Sequence, residues 1–300
     1  MIQLTNACVS SVDEAKGNTS NLLFSGQILP ERNAGLNGAP SLKLEPGAGC
    51  VTAVFDGAGD AANKAAYLAA GAFRAAADSL RGLDDLEALF SRIDAEVRAA
   101  NAERESPCSV SAAAACVIDG HLALACIGGC RAYLLRDRAL YLLSRPDAAT
   151  PPQSPPPAPD AGPRLGGADS APKPFTVIGA ILPGDQILLC TGWLPAALDA
   201  REMLRTLAEA ETPSAALQQL SRRAGSGRGD IAAVLLSAEG AADAEEAPAP
   251  DVEPAPEPEE PPAEASAEDA PAEEAPEVPA EAPTDATEAP ADAAEAPADE

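Results

Sequence analysis

Residues 1–239 predict an α+β fold: two antiparallel sheets stacked face to face with helices on the outer faces, a four-layer α-β-β-α sandwich. Three observations lead there. Strand-like runs stand on both sides of two long helical patterns, at about 61–80 and 83–101. Between residues 109 and 144 the pattern changes to short apolar runs separated by tight-turn residues, which reads as an antiparallel meander. The patterning then stops, and residues 240–300 hold 21 acidic residues, 13 prolines and no Lys or Arg. Such a tail cannot bury enough apolar surface to offset the entropy of ordering, so it reads as disordered.

The elements follow in order. Residues 2–12 mix β-branched and polar side chains and read as a strand, and residues 21–28 as a second. The Gly-, Asn- and Pro-rich stretch 30–49 reads as a loop. Residues 50–55 form a continuous apolar run of the kind a buried strand shows, ending in a turn at Asp56-Gly57-Ala58-Gly59-Asp60. The first long helix is rich in Ala. In the second, Leu83, Leu86, Phe90, Ile93 and Val97 recur on one face, and Asp84, Asp85 and Glu87 occupy the first turn, where the helix dipole favours them. Strands at 110–118, 122–127, 132–135 and 139–143 are separated by turns at Asp119-Gly120, Gly128-Gly129 and Arg136-Asp137-Arg138. Residues 145–174 read as a flexible Pro-, Gly- and Ala-rich loop, long for a compact domain. Strands resume at 175–181 and 186–190 around a turn at Pro183-Gly184-Asp185. Helices follow at about 200–210 and 213–224, and a last strand at 231–236.

Charge is segregated. The formal net charge is −27, of which the tail carries −21; residues 1–239 hold 26 acidic against 20 basic residues. A mildly acidic domain with an acidic tail does not suit a phosphate backbone or an anionic membrane surface, so nucleic-acid and membrane partners are not expected. No apolar run approaches the roughly 18–20 residues that span a bilayer. The N-terminus, Met1 to Asn6, lacks the basic start and apolar stretch of a signal peptide, which predicts a cytoplasmic protein. The seven cysteines stand mostly inside apolar runs with no C-x-x-C pair, and read as reduced, buried small hydrophobes. The one histidine, His121, sits in an Asp-Gly-His turn, away from any tetrahedral zinc spacing.

Several short motifs fall in a telling order: Lys16-Gly17-Asn18, then Asn21-Leu22-Leu23-Phe24-Ser25-Gly26, then Ala53-Val54-Phe55-Asp56-Gly57-Ala58-Gly59 ahead of a helix. Ala125-Cys126-Ile127-Gly128-Gly129-Cys130-Arg131-Ala132-Tyr133-Leu134 comes next, then Gly184-Asp185-Gln186-Ile187-Leu188-Leu189-Cys190-Thr191-Gly192-Trp193-Leu194, and Gly229-Asp230-Ile231-Ala232 closes the series. The series resembles the metal-dependent protein phosphatases of the protein phosphatase 2C, or PPM, type, and covers nearly all of residues 1–239. The resemblance implies the sandwich fold. It also implies serine/threonine phosphatase chemistry, in which two Mg²⁺ or Mn²⁺ ions held by aspartates activate a water. Hard cations take oxygen ligands, and two of them a few ångströms apart need several carboxylates.

Most of those carboxylates are absent. Asp56 and the Gly57 carbonyl remain as a vestigial Mg²⁺/Mn²⁺ site, but Gly192, Gly229 and Gly129 stand where the family has aspartate. Thr19-Ser20 aligns with its acidic pair, and its phosphate-binding arginine has no counterpart. Asp60 and Asp230 adjoin lost positions and are candidates for a stray ligand, although a one-residue shift on a strand turns a side chain to the other face. Asp56 has two readings: a weak single-metal ligand, or a cap for the helix that follows. Arg131 reads as a structural partner under the meander, and Trp193 as a residue that fills the vacated site or packs on the surface. No catalytic residue, phosphate-binding residue or cofactor is assigned. The expected function is a pseudophosphatase that binds or regulates. The alternatives are an active Mg²⁺/Mn²⁺-dependent phosphatase with a reduced metal site, and a carrier of the acidic tail. The partner class implied by the resemblance is a phosphoprotein or a component of a kinase pathway.

Overall fold

The computed structural model describes residues 2–12, 19–30, 36, 38–102, 104–144, 162–167, 172–225 and 229–240. The expected tail from 241 onward, most of the expected loop at 145–174 and the Lys16-Gly17-Asn18 motif lie outside the described residues. In chain order the first elements are β1 (Ile2–Ser11), β2 (Ser20–Phe24), β3 (Gln27–Leu29), β4 (Ser41–Lys43), β5 (Cys50–Ala58), α1 (Ala62–Ala76) and α2 (Leu83–Asn101). They continue with β6 (Ser109–Ile118), β7 (His121–Ile127), β8 (Arg131–Arg136), β9 (Ala139–Leu142), β10 (Phe175–Ala180) and β11 (Gln186–Cys190). The series ends with α3 (Trp193–Ala197), α4 (Ala200–Glu209), α5 (Pro213–Ala224) and β12 (Ile231–Gly240).

Two six-stranded sheets result, ordered β4-β1-β12-β11-β8-β9 and β10-β7-β6-β5-β2-β3, and every strand pair is antiparallel. α1 and α2 cover the β5-containing sheet; α3, α4 and α5 cover the β12-containing sheet. The expected sandwich is therefore the observed one. With few aromatics available, the layers close on small side chains. Ala65, Ala66, Ala69 and Ala70 of α1 bring that helix close to Ala112 and Ala114 of β6 and to β5. Phe55 and Phe73 meet edge to face at 5.7 Å, the one aromatic pair across this layer among the described residues. Between the sheets lies a second core that includes Leu22, Val54, Leu124, Leu189 and Val234.

Several local expectations are corrected. The run at 21–28 is a hairpin, because Ser25 and Gly26 take positive φ and reverse the chain. β5 runs on through Asp56 and Gly57 to Ala58, where a turn was expected, since its pairing to β6 continues without a break. The 109–144 region is not one meander: β6-β7 and β8-β9 are separate hairpins in different sheets, and Gly128-Gly129 is where the chain crosses between them. Pro183-Gly184-Asp185 is a second crossing, from β10 to β11. There Arg136 forks onto Asp185 at 2.8 and 2.6 Å and also donates to the Ala180 carbonyl, tying the two sheets at that corner. β4 and α3 were not anticipated. Within the expected loop, residues 162–167 are docked and Leu165 is fully buried.

Candidate functional site

The positions singled out by the motif order meet at one end of the intersheet space. On β5, Val54 faces the intersheet core, so Asp56, two residues on, shares that face. Asp56 is 2% exposed, with Ser20 of β2 and Ser111 of β6 directly opposite it in register. It does not cap α1, whose N-cap is Ala61 and has no side-chain bond. Gly57 permits the helix to start where it does: a Cβ there would lie 1.9 Å from the Ala62 carbonyl oxygen. The Gly57 amide donates to the Thr19 carbonyl at 2.8 Å.

From the other sheet comes Asp230, just ahead of β12 and also 2% exposed. Both the amide and the hydroxyl of Thr19 donate to its Oδ2, the hydroxyl at 2.9 Å. One carboxylate thus ties the start of β2 to the start of β12 across the sandwich. The Thr191 hydroxyl donates to the Asp230 carbonyl at 2.9 Å and accepts from the Ala232 amide at 3.2 Å, which fixes the end of β11 beside it. Asp60 stands exposed in the turn before α1.

Gly192 is the N-cap of α3 and Trp193 its first residue. The Trp193 indole lies over Gly229: a Cβ at 229 would stand 2.2 Å from both Cδ2 and Cε2. No side chain fits at 229 while the indole stays. Trp193, half-buried, also packs against the α3–α5 core. Among the described residues, no three His, Cys, Asp or Glu side chains converge as a metal site would require.

Three further groups stand at this end, of which sequence reasoning missed Ser111 and Arg164. Ser111 Oγ accepts from the Gly129 amide at 3.0 Å, and Gly128 has no room for a Cβ because Ser111 Oγ would be 2.4 Å away. Cys130 is buried in the intersheet core. Burial pushes its thiol far up, Asp56, Cys126 and Cys190 push it further, and Arg164 pulls it back. Arg164 itself is 8% exposed. Its only signal in the sequence was the lone apolar Leu165 between Arg164 and Gly166-Gly167, an anchor inside a Pro- and Ala-rich stretch. Arg131 donates from Nη1 to the carbonyls of Gly128 at 2.8 Å and Cys130 at 2.9 Å.

The same architecture is found in solved phosphatases. The catalytic domain of the serine/threonine phosphatase PstP, in a complex with two manganese ions, superposes with a TM-score of 0.63 at 21% identity, over 80% of this chain and 100% of that one. An S. agalactiae serine/threonine phosphatase gives 0.63 at 13% identity over 78% and 99%. The Mycobacterium smegmatis PPM phosphatase MsPP, in a complex with cacodylate, gives 0.60 at 18% over 78% and 98%. The chain has the PPM-type phosphatase fold. No family model matches the sequence, and no curated protein matches it. The PPM fold accounts for where the motif positions meet, while the residues standing there are this chain's own. No helix among the described residues is long and apolar enough to cross a membrane.

Proposed function

We propose that this PPM-fold chain is a pseudophosphatase, a domain that binds or regulates without turning over a phosphoester. The observation that carries the reading is the Trp193 indole on Gly229: the space of a metal-binding side chain is filled by an aromatic ring. Two further facts support it. Asp230, the acidic residue next to that position, is engaged by Thr19, and Gly192 has no side chain to offer as a ligand. Two dications about 3.5–4 Å apart need several carboxylates. Asp56 with the Gly57 carbonyl is a smaller donor set than that, and we read it as vestigial.

The partner is a protein, a phosphoprotein or a component of a kinase pathway, met in the cytoplasm. Residues 1–239 act as the binding domain and 240–300 as an acidic, solvated spacer. The test is hydrolysis of a phosphopeptide and of para-nitrophenyl phosphate in saturating Mn²⁺ or Mg²⁺. The expected rate equals that of buffer. Turnover that disappears in Asp56→Ala would establish the runner-up, an active phosphatase with a reduced metal site.

A further inference from the structure

An ionised carboxylate buried as deeply as Asp56 requires positive charge close by, because burial alone would drive it neutral. In a two-metal centre the ions supply that charge. The register of the sheet shows what is placed to supply it in this chain. Beyond the end of β7, residues 162–167 take over the position beside β6. Val110 and Leu165 form an antiparallel bridge, with the Val110 amide donating to the Leu165 carbonyl at 2.9 Å and the Leu165 amide to the Val110 carbonyl at 3.0 Å. Leu165 shares Val110's face, in the core under α1 and α2. Arg164, one residue earlier, is opposite Ser111 and faces the other way, into the intersheet space. Ser20, Asp56, Ser111 and Arg164 therefore form one row across the sheet. Asp56 and Arg164 are two strands apart, roughly 10 Å between backbones, a gap that an arginine side chain can largely bridge.

The segment that carries Arg164 is held by polar residues spaced along one face of α2. Asp94 Oδ1 accepts from the Gly166 amide at 2.6 Å, Arg98 donates to the Gly167 carbonyl at 2.8 Å, and Asn101 donates to the Gly166 carbonyl at 3.1 Å. Gly166 packs so closely on Val97 that a Cβ would fall 2.1 Å from its Cγ1. These bonds fix the backbone on both sides of the buried Leu165 and so hold Arg164 in place.

We propose that Arg164 is the built-in counter-cation of Asp56, a guanidinium doing electrostatically, within the chain, what divalent ions would otherwise do at this end of the cleft. The inference rests on reading the cleft as metal-free, and it makes the fold independent of metal. The test is a double-mutant cycle on the full chain, with Asp56→Asn and Arg164→Met, by urea denaturation in excess chelator. Each single substitution is expected to shift the unfolding equilibrium on the order of a hundredfold, and the double by much less than the product. Arg131→Met, on a side chain that faces away from Asp56, is expected to show no coupling to Asp56→Asn. Additive effects of 56 and 164 would overturn the proposal, as would coupling to Arg131 in place of Arg164. If Arg164→Met alone does not fold, the double variant decides: it folds if Arg164 acts through the Asp56 charge, and fails if Arg164 is needed for packing. Addition of Mn²⁺ is expected to leave wild-type stability unchanged, and a rise that saturates would overturn the metal-free premise. Phosphatase turnover would sink the functional reading; a missing coupling in chelator would sink only this one.

Discussion

Gly229 and Trp193 constrain each other. With an indole 2.2 Å from where a Cβ would stand, restoring an acidic side chain at 229 requires the ring to move. Gly229→Asp is expected to destabilise by about 1–3 kcal/mol, the usual cost of overpacking, seen as a lower urea midpoint. Trp193→Gly in the same chain is expected to recover part of that loss. A neutral Gly229→Asp would mean that the ring does not hold the space. The thiols make a second residue-scale prediction. All seven cysteines are buried and unpaired. Burial pushes Cys8 and Cys190 up to about 12, and does the same to Cys50 with a smaller push from Cys116. An unfolded thiol loses its proton near about 8.5. The stabilisation is thus fully present below that pH and is lost as pH rises toward the folded values. Urea midpoints measured from pH 8 to pH 11 are expected to fall, and a midpoint that rises over that window would contradict the burial of these thiols.

At the scale of elements, helices with a cap or an apolar stripe were legible, whereas the Ser25-Gly26 turn and the end of β5 were misread. α5 (Pro213–Ala224) falls where expected because its start is written in the sequence: Thr212 caps the Ala215 amide at 3.1 Å and Pro213 takes the first helical position. α2 (Leu83–Asn101) likewise follows its apolar stripe. Which sheet a strand joins was not legible, because hairpin turns and crossings use the same Gly-rich residues; Gly128-Gly129 reads identically for both. The site divides in the same way. Asp56, Gly192 and Gly229 were placed by motif order. The Thr19–Asp230 bond was not, since it joins residues 211 apart and neither type announces it. Composition hid Arg164: a Pro- and Ala-rich stretch gives no sign that one leucine in it is buried. Leu165→Ala is accordingly expected to cost about 2–5 kcal/mol, as for a core leucine, whereas a loop residue would cost almost nothing in the same denaturation experiment. Asp199→Ala, which removes the capping box of α4 built on the 2.7 Å bond from the Glu202 amide, is expected to cost about 1 kcal/mol.

For the whole molecule, the charge divides between a nearly balanced domain and a tail of one sign. If residues 240–300 serve as a solvated spacer, a chain ending at 239 is expected to melt at the same temperature as the full protein. A fall of several degrees would mean that the tail docks. On the proposed reading, this PPM-fold cleft is filled by its own side chains and takes no pair of metal ions. Trp193 is the chain's single tryptophan and its ring lies on Gly229, so its emission senses changes at that position. The most direct measurement is that emission during a titration with Mn²⁺, against a chelator baseline. The account predicts a spectrum unchanged in intensity and wavelength throughout. Saturable quenching or a shift that Asp56→Ala abolishes would contradict it.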